Sequence, residues 1–116
     1  MSTSVTTIVY PVDDLDATKP IFTALLGAEP HTDEPYYVGY TVRGQEVALD
    51  PNGQGQGLSG PLPYWHVEDI DASTKSLVDL GAAVALPARD VGGGKLLAVL
   101  TDPTGNQIGL IQEPGT

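Results

Sequence analysis

Short runs of β-branched and aromatic residues alternate with helix-length amphipathic stretches along this chain, and the alternation occurs twice. Val5-Thr6-Thr7-Ile8-Val9-Tyr10-Pro11-Val12 reads as a strand that ends or bulges at Pro11, which has no amide for a ladder. A helix follows. Asp14 or Asp16 can cap it, and Ile21, Leu25 and Phe22 supply the expected apolar face. Pro20 is tolerable only in its first turn, and Gly27 is placed to end it in a left-handed conformation. A short strand is expected near residues 29–32. Residues 36–42 and 46–49 then read as a hairpin turning at Arg43-Gly44-Gln45.

The second half repeats the plan. Residues 63–67 are a strand, 70–80 a helix with Ile70, Leu77 and Leu80 apolar, and 82–86 a short strand. Residues 95–101 and 107–112 are two more, joined by the turn Asp102-Pro103-Thr104-Gly105-Asn106. The segment Val12-Asp13-Asp14-Leu15-Asp16-Ala17-Thr18 matches Val67-Glu68-Asp69-Ile70-Asp71-Ala72-Ser73, and Leu26-Gly27-Ala28 matches Leu80-Gly81-Ala82. The chain therefore reads as a duplicated βαβββ half, joined by the Gly- and Pro-rich connector 51–61. One helix covers only one face of a four-stranded sheet, so two halves are expected to pair within one domain. The first module spans about 5–50 and the second about 62–113.

Composition narrows the function classes. The 116 residues include no cysteine, which removes disulfides, thiolate catalysis and Cys-ligated metals, and fits a reducing, cytoplasmic compartment. Fifteen acids against five Lys and Arg give a net charge of −10. That argues against nucleic acid and against anionic membrane surfaces; an acidic surface suits solubility first, and it could attract a cationic ligand. The N-terminus lacks the basic and apolar regions of a signal peptide, and no run is long enough to span a bilayer.

The two βαβββ halves, the Val-x-Asp-Leu helix start, the Leu-Gly helix end and Asp102-Pro103-Thr104-Gly105-Asn106-Gln107-Ile108-Gly109-Leu110 resemble the vicinal oxygen chelate superfamily. This is the glyoxalase, bleomycin-resistance and extradiol-dioxygenase group. The resemblance runs from about Thr6 to Gln112. It implies an α+β fold whose two modules curl an eight-stranded sheet around a ligand cavity, and a homodimer for a single-domain chain. In metal-dependent members it also implies a divalent ion held by His, Gln or Glu from strands facing the cup, where the ion stabilises developing negative charge. Carried over one position at a time, those ligands fall at Thr7, near Ala48, at Leu62 and at Gly109. None is a metal ligand, so no metal and no other cofactor is expected.

Candidate site residues follow from strand alternation. His66 lies four residues after Leu62, so it shares that residue's strand face together with Tyr64. It reads as an imidazole that hydrogen-bonds a neighbour or ligand. For metal binding or base catalysis the one acid that can be placed inward with it is Glu46. Tyr36 and Tyr40 are expected on one strand face and Tyr37 on the other, and cup-facing aromatics could stack on a planar or cationic ligand. Core packing is the competing reading for each of these rings. His31, in a polar stretch beside Pro30, is expected to be exposed. Gly92-Gly93-Gly94-Lys95 is not a phosphate loop, because Arg89 and Leu96 stand where Gly and Ser or Thr are required. It reads as a loop before a strand, able to act as a lid. The acids at the helix starts read as caps.

The leading functional expectation is a metal-free small-molecule-binding protein of the glyoxalase or bleomycin-resistance type, sequestering a cationic or amphipathic ligand at Tyr36, Tyr40, Tyr64 and His66. The alternative is a glyoxalase-related lyase or isomerase with an unconventional site around His66 and Glu46. A third is a regulatory role without a small ligand. The fold alone does not choose among them.

Overall fold

The computed structural model describes residues 5–52 and 60–115. Most of the expected connector and residues 1–4 lie outside the described residues. The described residues divide into two compact units that meet in sequence at Leu62 and Pro63. Each is a βαβββ module, and the fold class is the expected α+β.

The first module contains β1 (Val5–Pro11), α1 (Leu15–Leu26), β2 (Thr32–Glu34), β3 (Tyr37–Val42) and β4 (Gln45–Asp50). Its sheet order is β2-β3-β4-β1, with β1 parallel to β4 and the other pairs antiparallel. The β3–β4 turn uses only Arg43 (φ 52°) and Gly44 (φ 80°). Positive φ at both central residues matches the twist of the two strands it joins. Asp14 caps α1 by accepting from the Ala17 amide at 3.0 Å, and Gly27 ends it at φ 64°.

The face that α1 buries keeps Phe22 of the expected set but not Ile21 or Leu25. Helix residues Leu15, Phe22 and Leu26 pack on Val38, Tyr40, Val47 and Leu49, with Tyr10 and Val12 alongside. Ile21 and Leu25 are 65% and 73% exposed. Leu15, Phe22 and Leu26 stand at i, i+7 and i+11, one stripe of the helix, and it is this stripe that the sheet covers. Pro20 is likewise inside the helix rather than in its first turn. The Asp16 carbonyl receives no amide from it. On either side of it the Tyr40 hydroxyl ties the helix to β3, bonding Thr23 Oγ1 (2.9 Å) and the Lys19 carbonyl (3.2 Å).

The second module contains β5 (Leu62–His66), α2 (Ile70–Asp79), β6 (Ala83–Asp90), β7 (Leu96–Thr101) and β8 (Gln107–Gln112), in the order β5-β8-β7-β6. Asp69 caps α2 by accepting from the Ala72 amide, and Gln112 Oε1 accepts from the Ile70 amide. Ile70 is buried beneath the helix with Ala98, Leu100 and Leu110, and Leu77 packs beside them. Leu80, expected in the apolar face, is the C-cap and is 83% exposed. β6 runs past its expected end because its register shifts between Leu86 and Arg89, and this bulge accommodates Pro87. Gly92-Gly93-Gly94 turns the chain from β6 to β7 with positive φ throughout. Among the described residues no helix is long and apolar enough to cross a membrane.

Candidate functional site

In the first module alternation places Thr7 and Val9 of β1, Tyr37, Gly39 and Thr41 of β3, and Glu46 and Ala48 of β4 on the sheet face away from α1. Glu46 pairs in register with Thr41 on one side and Thr7 on the other. Its carboxylate gathers three side chains. Tyr37 donates its hydroxyl to Oε2 at 2.8 Å, and Thr41 donates to Oε1 at 2.9 Å. His31 Nε2 lies 2.9 and 3.0 Å from the two oxygens.

A carboxylate only accepts, so Nε2 carries the proton in that bond. In the neutral ring Nδ1 then accepts from the Thr32 hydroxyl at 2.8 Å. The order hydroxyl, imidazole, carboxylate is thus assembled at the β2 edge. Burial, and then the bond to Glu46, raise the Tyr37 phenol well above its ordinary value of 10.0. Gly39 makes this packing possible. A Cβ there would stand 2.7 Å from Tyr37 Cε1 and 2.9 Å from both Glu46 Oε2 and His31 Cε1.

Sequence reasoning missed His31 and Tyr37. His31 extends the β2–β3 ladder, its amide donating to the Gly39 carbonyl at 2.9 Å, and so reaches Glu46. The available signal was Gly39 itself, since a glycine inside a strand marks a close approach.

In the second module Trp65 and Val67 pack toward α2, and alternation turns Leu62, Tyr64 and His66 to the opposite face. Leu62 and Tyr64 are buried and His66 is half-buried. Parallel pairing sets Tyr64 against Gly109 and His66 against Ile111. The Tyr64 ring lies over Gly109: a Cβ at 109 would be 2.6 Å from Tyr64 Cδ1 and 2.8 Å from the Pro63 carbonyl oxygen.

The expected ligand-binding residues are therefore divided. Tyr64 and His66 share a face of β5. Tyr40 is fully buried in the core under α1, with its hydroxyl bonded there, so it is a packing residue. Tyr36 precedes β3 in a turn and is 58% exposed. Glu46 is engaged within its own module. The four positions where the resemblance places metal ligands all lie on faces away from the helices, and they carry Thr7, Ala48, Leu62 and Gly109. These side chains do not fit a divalent ion. Among the described residues no group of three or more His, Asp or Glu is arranged to hold one.

A duplicated βαβββ module with these terminal turns defines a class, and comparison with known proteins names it. Residues 4–110 match the family model of the Glyoxalase/Bleomycin resistance protein/Dioxygenase superfamily, and the chain belongs to that family. It is 33% identical over 112 residues to the Mycobacterium tuberculosis (strain CDC 1551 / Oshkosh) protein named "Putative glyoxylase CFP32". That match covers 85% of this chain and 41% of the relative, so the chain spans about two fifths of the length of the curated relatives it matches. A superfamily member from Vibrio splendidus 12B01 superposes with a TM-score of 0.73 at 20% identity, covering 97% of this chain and 100% of that one. Streptomyces coelicolor methylmalonyl-CoA epimerase, solved with 2-nitronate-propionyl-CoA, gives 0.70 at 21%, covering 99% and 100%. At these identities the two likenesses establish the fold.

Proposed function

We propose that this chain is a small-molecule-binding member of the family that works without a divalent ion. One observation carries the reading: at position 109 the side-chain space is taken by the Tyr64 ring, and the partner positions are Thr7, Ala48 and Leu62. The ligand is cationic or amphipathic, in keeping with the net charge of −10. Tyr64 and His66 contact it, and the protein acts in the cytoplasm as a homodimer. The test is elemental analysis of untagged protein after dialysis against zinc, nickel, manganese and iron(II), followed by a thermal-shift screen of cationic glycopeptide antibiotics. The expected result is no stoichiometric metal and a saturable rise in Tm with at least one such compound. Stoichiometric metal, or no response to any cationic compound, overturns the reading.

A second reading, an isomerase or lyase, is favoured by the Thr32–His31–Glu46 chain. In it His31 is the general base and Glu46 orients it. Turnover of a glyoxalase-type substrate that survives His66→Ala but not His31→Ala supports it. Equal activity in both variants removes it.

A further inference from the structure

The two modules can be compared position by position, because each pairs its strands in the same pattern. Tyr10 pairs with Leu49 in the first, and Trp65 with Leu110 in the second. Leu49 and Val47 pair with Val38 and Tyr40, while Leu110 and Ile108 pair with Ala98 and Leu100. The repeat in turn aligns Phe22 of α1 with Leu77 of α2, and Thr18 with Ser73. The layer under α1 thus holds Val38, Tyr40 and Phe22 where the layer under α2 holds Ala98, Leu100 and Leu77.

In the first module the aromatic residues close the layer. Phe22 packs against Tyr10 with ring centroids 4.9 Å apart. The second module lacks a ring at both the Tyr40 and the Phe22 positions. At the Phe22 position, where Leu77 stands, lies an open pocket of about 300 Å³ walled by Trp65, Val67, Leu77, Ile108 and Leu110, with Ser73 and Ser76 on the helix side. For scale, an apolar cavity of roughly 150 Å³ accepts benzene. None of the lining residues carries a charge, so the walls offer an ion no partner and suit a neutral, apolar molecule. Two serine hydroxyls at the helix can serve one polar substituent.

We propose that the pocket between α2 and its sheet binds a small neutral aromatic molecule, seated against Trp65 where the first module supplies a ring of its own. The site is on the opposite strand face from Tyr64 and His66 and does not depend on the function proposed above.

Trp65 is the chain's single tryptophan, so its indole N–H gives one reporter peak in an amide correlation spectrum. Toluene and p-cresol are the probes, titrated into the full chain. The expected result is a saturable shift of that peak, with p-cresol at least as tight as toluene. Leu77→Phe, which copies the first module, is expected to weaken binding at least tenfold while keeping the fold. Ser73→Leu fills the same space from the helix and serves if Leu77→Phe does not fold. Absence of a saturable shift overturns the proposal, as does binding undiminished in both folded variants. A Trp65 shift that follows protein concentration and blocks the probes also overturns it, since a second copy of the chain would then be the occupant.

Discussion

The Tyr64 ring lies against Gly109, so close that a Cβ at position 109 would stand 2.6 Å from Tyr64 Cδ1. Parallel pairing of β5 with β8 puts these residues side by side, and the glycine is the floor on which the ring rests. Gly109→Ala forces the ring or the strand to shift, with an expected cost of about 1–3 kcal/mol, read from urea unfolding. In a Tyr64→Ala background the same substitution is expected to cost clearly less, because the clash partner is gone. Equal costs in the two backgrounds would mean that the ring does not set the constraint. Gly109→His restores a ligand type but is expected to bind no metal, since Thr7, Ala48 and Leu62 remain.

The Glu46 cluster has an alkaline signature. Folding raises the Tyr37 phenol above its ordinary value, so the unfolded chain releases that proton first. Stability is then level with respect to this group below about pH 10 and declines as pH rises beyond it. Spectrophotometric titration should show a tyrosine component that ionises above the ordinary phenol range. Tyr37→Phe is expected to abolish that late component, and Glu46→Gln to bring it to lower pH.

Much of this was legible in the sequence wherever the cause was local. Asp14 and Asp69 announce the helix starts, Gly27 a helix end, and Asp102 to Asn106 a turn, because each acts on its own neighbours. The buried face of α1 was legible only at Phe22, since Ile21 and Leu25 offer as good a stripe as Leu15 and Leu26 until the sheet that covers the helix is in place. His31 was hidden for a different reason. Its partner is 15 residues away and reaches it only after β2 pairs with β3 and β3 with β4. Tyr40 required knowing which strand face meets α1, and no periodicity within β3 supplies that.

Tyr40 tests that last point directly. Its hydroxyl is bonded under α1 to Thr23 and to the Lys19 carbonyl. Tyr40→Phe keeps the packing and removes those bonds, for an expected loss of about 1 kcal/mol. Affinity for any ligand of the protein is expected to be unchanged. A variant of full stability but impaired binding would return Tyr40 to the ligand site.

Asp14 and Asp69 sit at matching points of the repeat and make matching bonds to the Ala17 and Ala72 amides. Alanine at either position is expected to cost about 1 kcal/mol in chemical denaturation, with ligand binding intact. Loss of binding at unchanged stability would assign these acids a role beyond capping.

The turn before β8 carries an acid-sensitive contact. Asp102 accepts from the Asn106 side chain at 3.0 Å and from the Asn106 and Thr104 amides, both at 2.9 Å. The Asn106 bonds, side chain first, hold its carboxyl below the ordinary value of 3.8, against a smaller opposing effect of burial. The folded chain therefore keeps Asp102 ionised at pH values where the unfolded chain has protonated it. Its stabilising contribution is full above the ordinary carboxylate range and is lost as pH falls through that range to the folded value. Asp102→Asn removes the titrating group, so its stability deficit relative to the parent chain is expected to be constant near neutrality and to shrink in acid. Carboxyl carbon shifts followed by NMR should place the Asp102 midpoint below that of an unstructured aspartate. A deficit independent of pH would mean that Asp102 shapes the turn without using its charge.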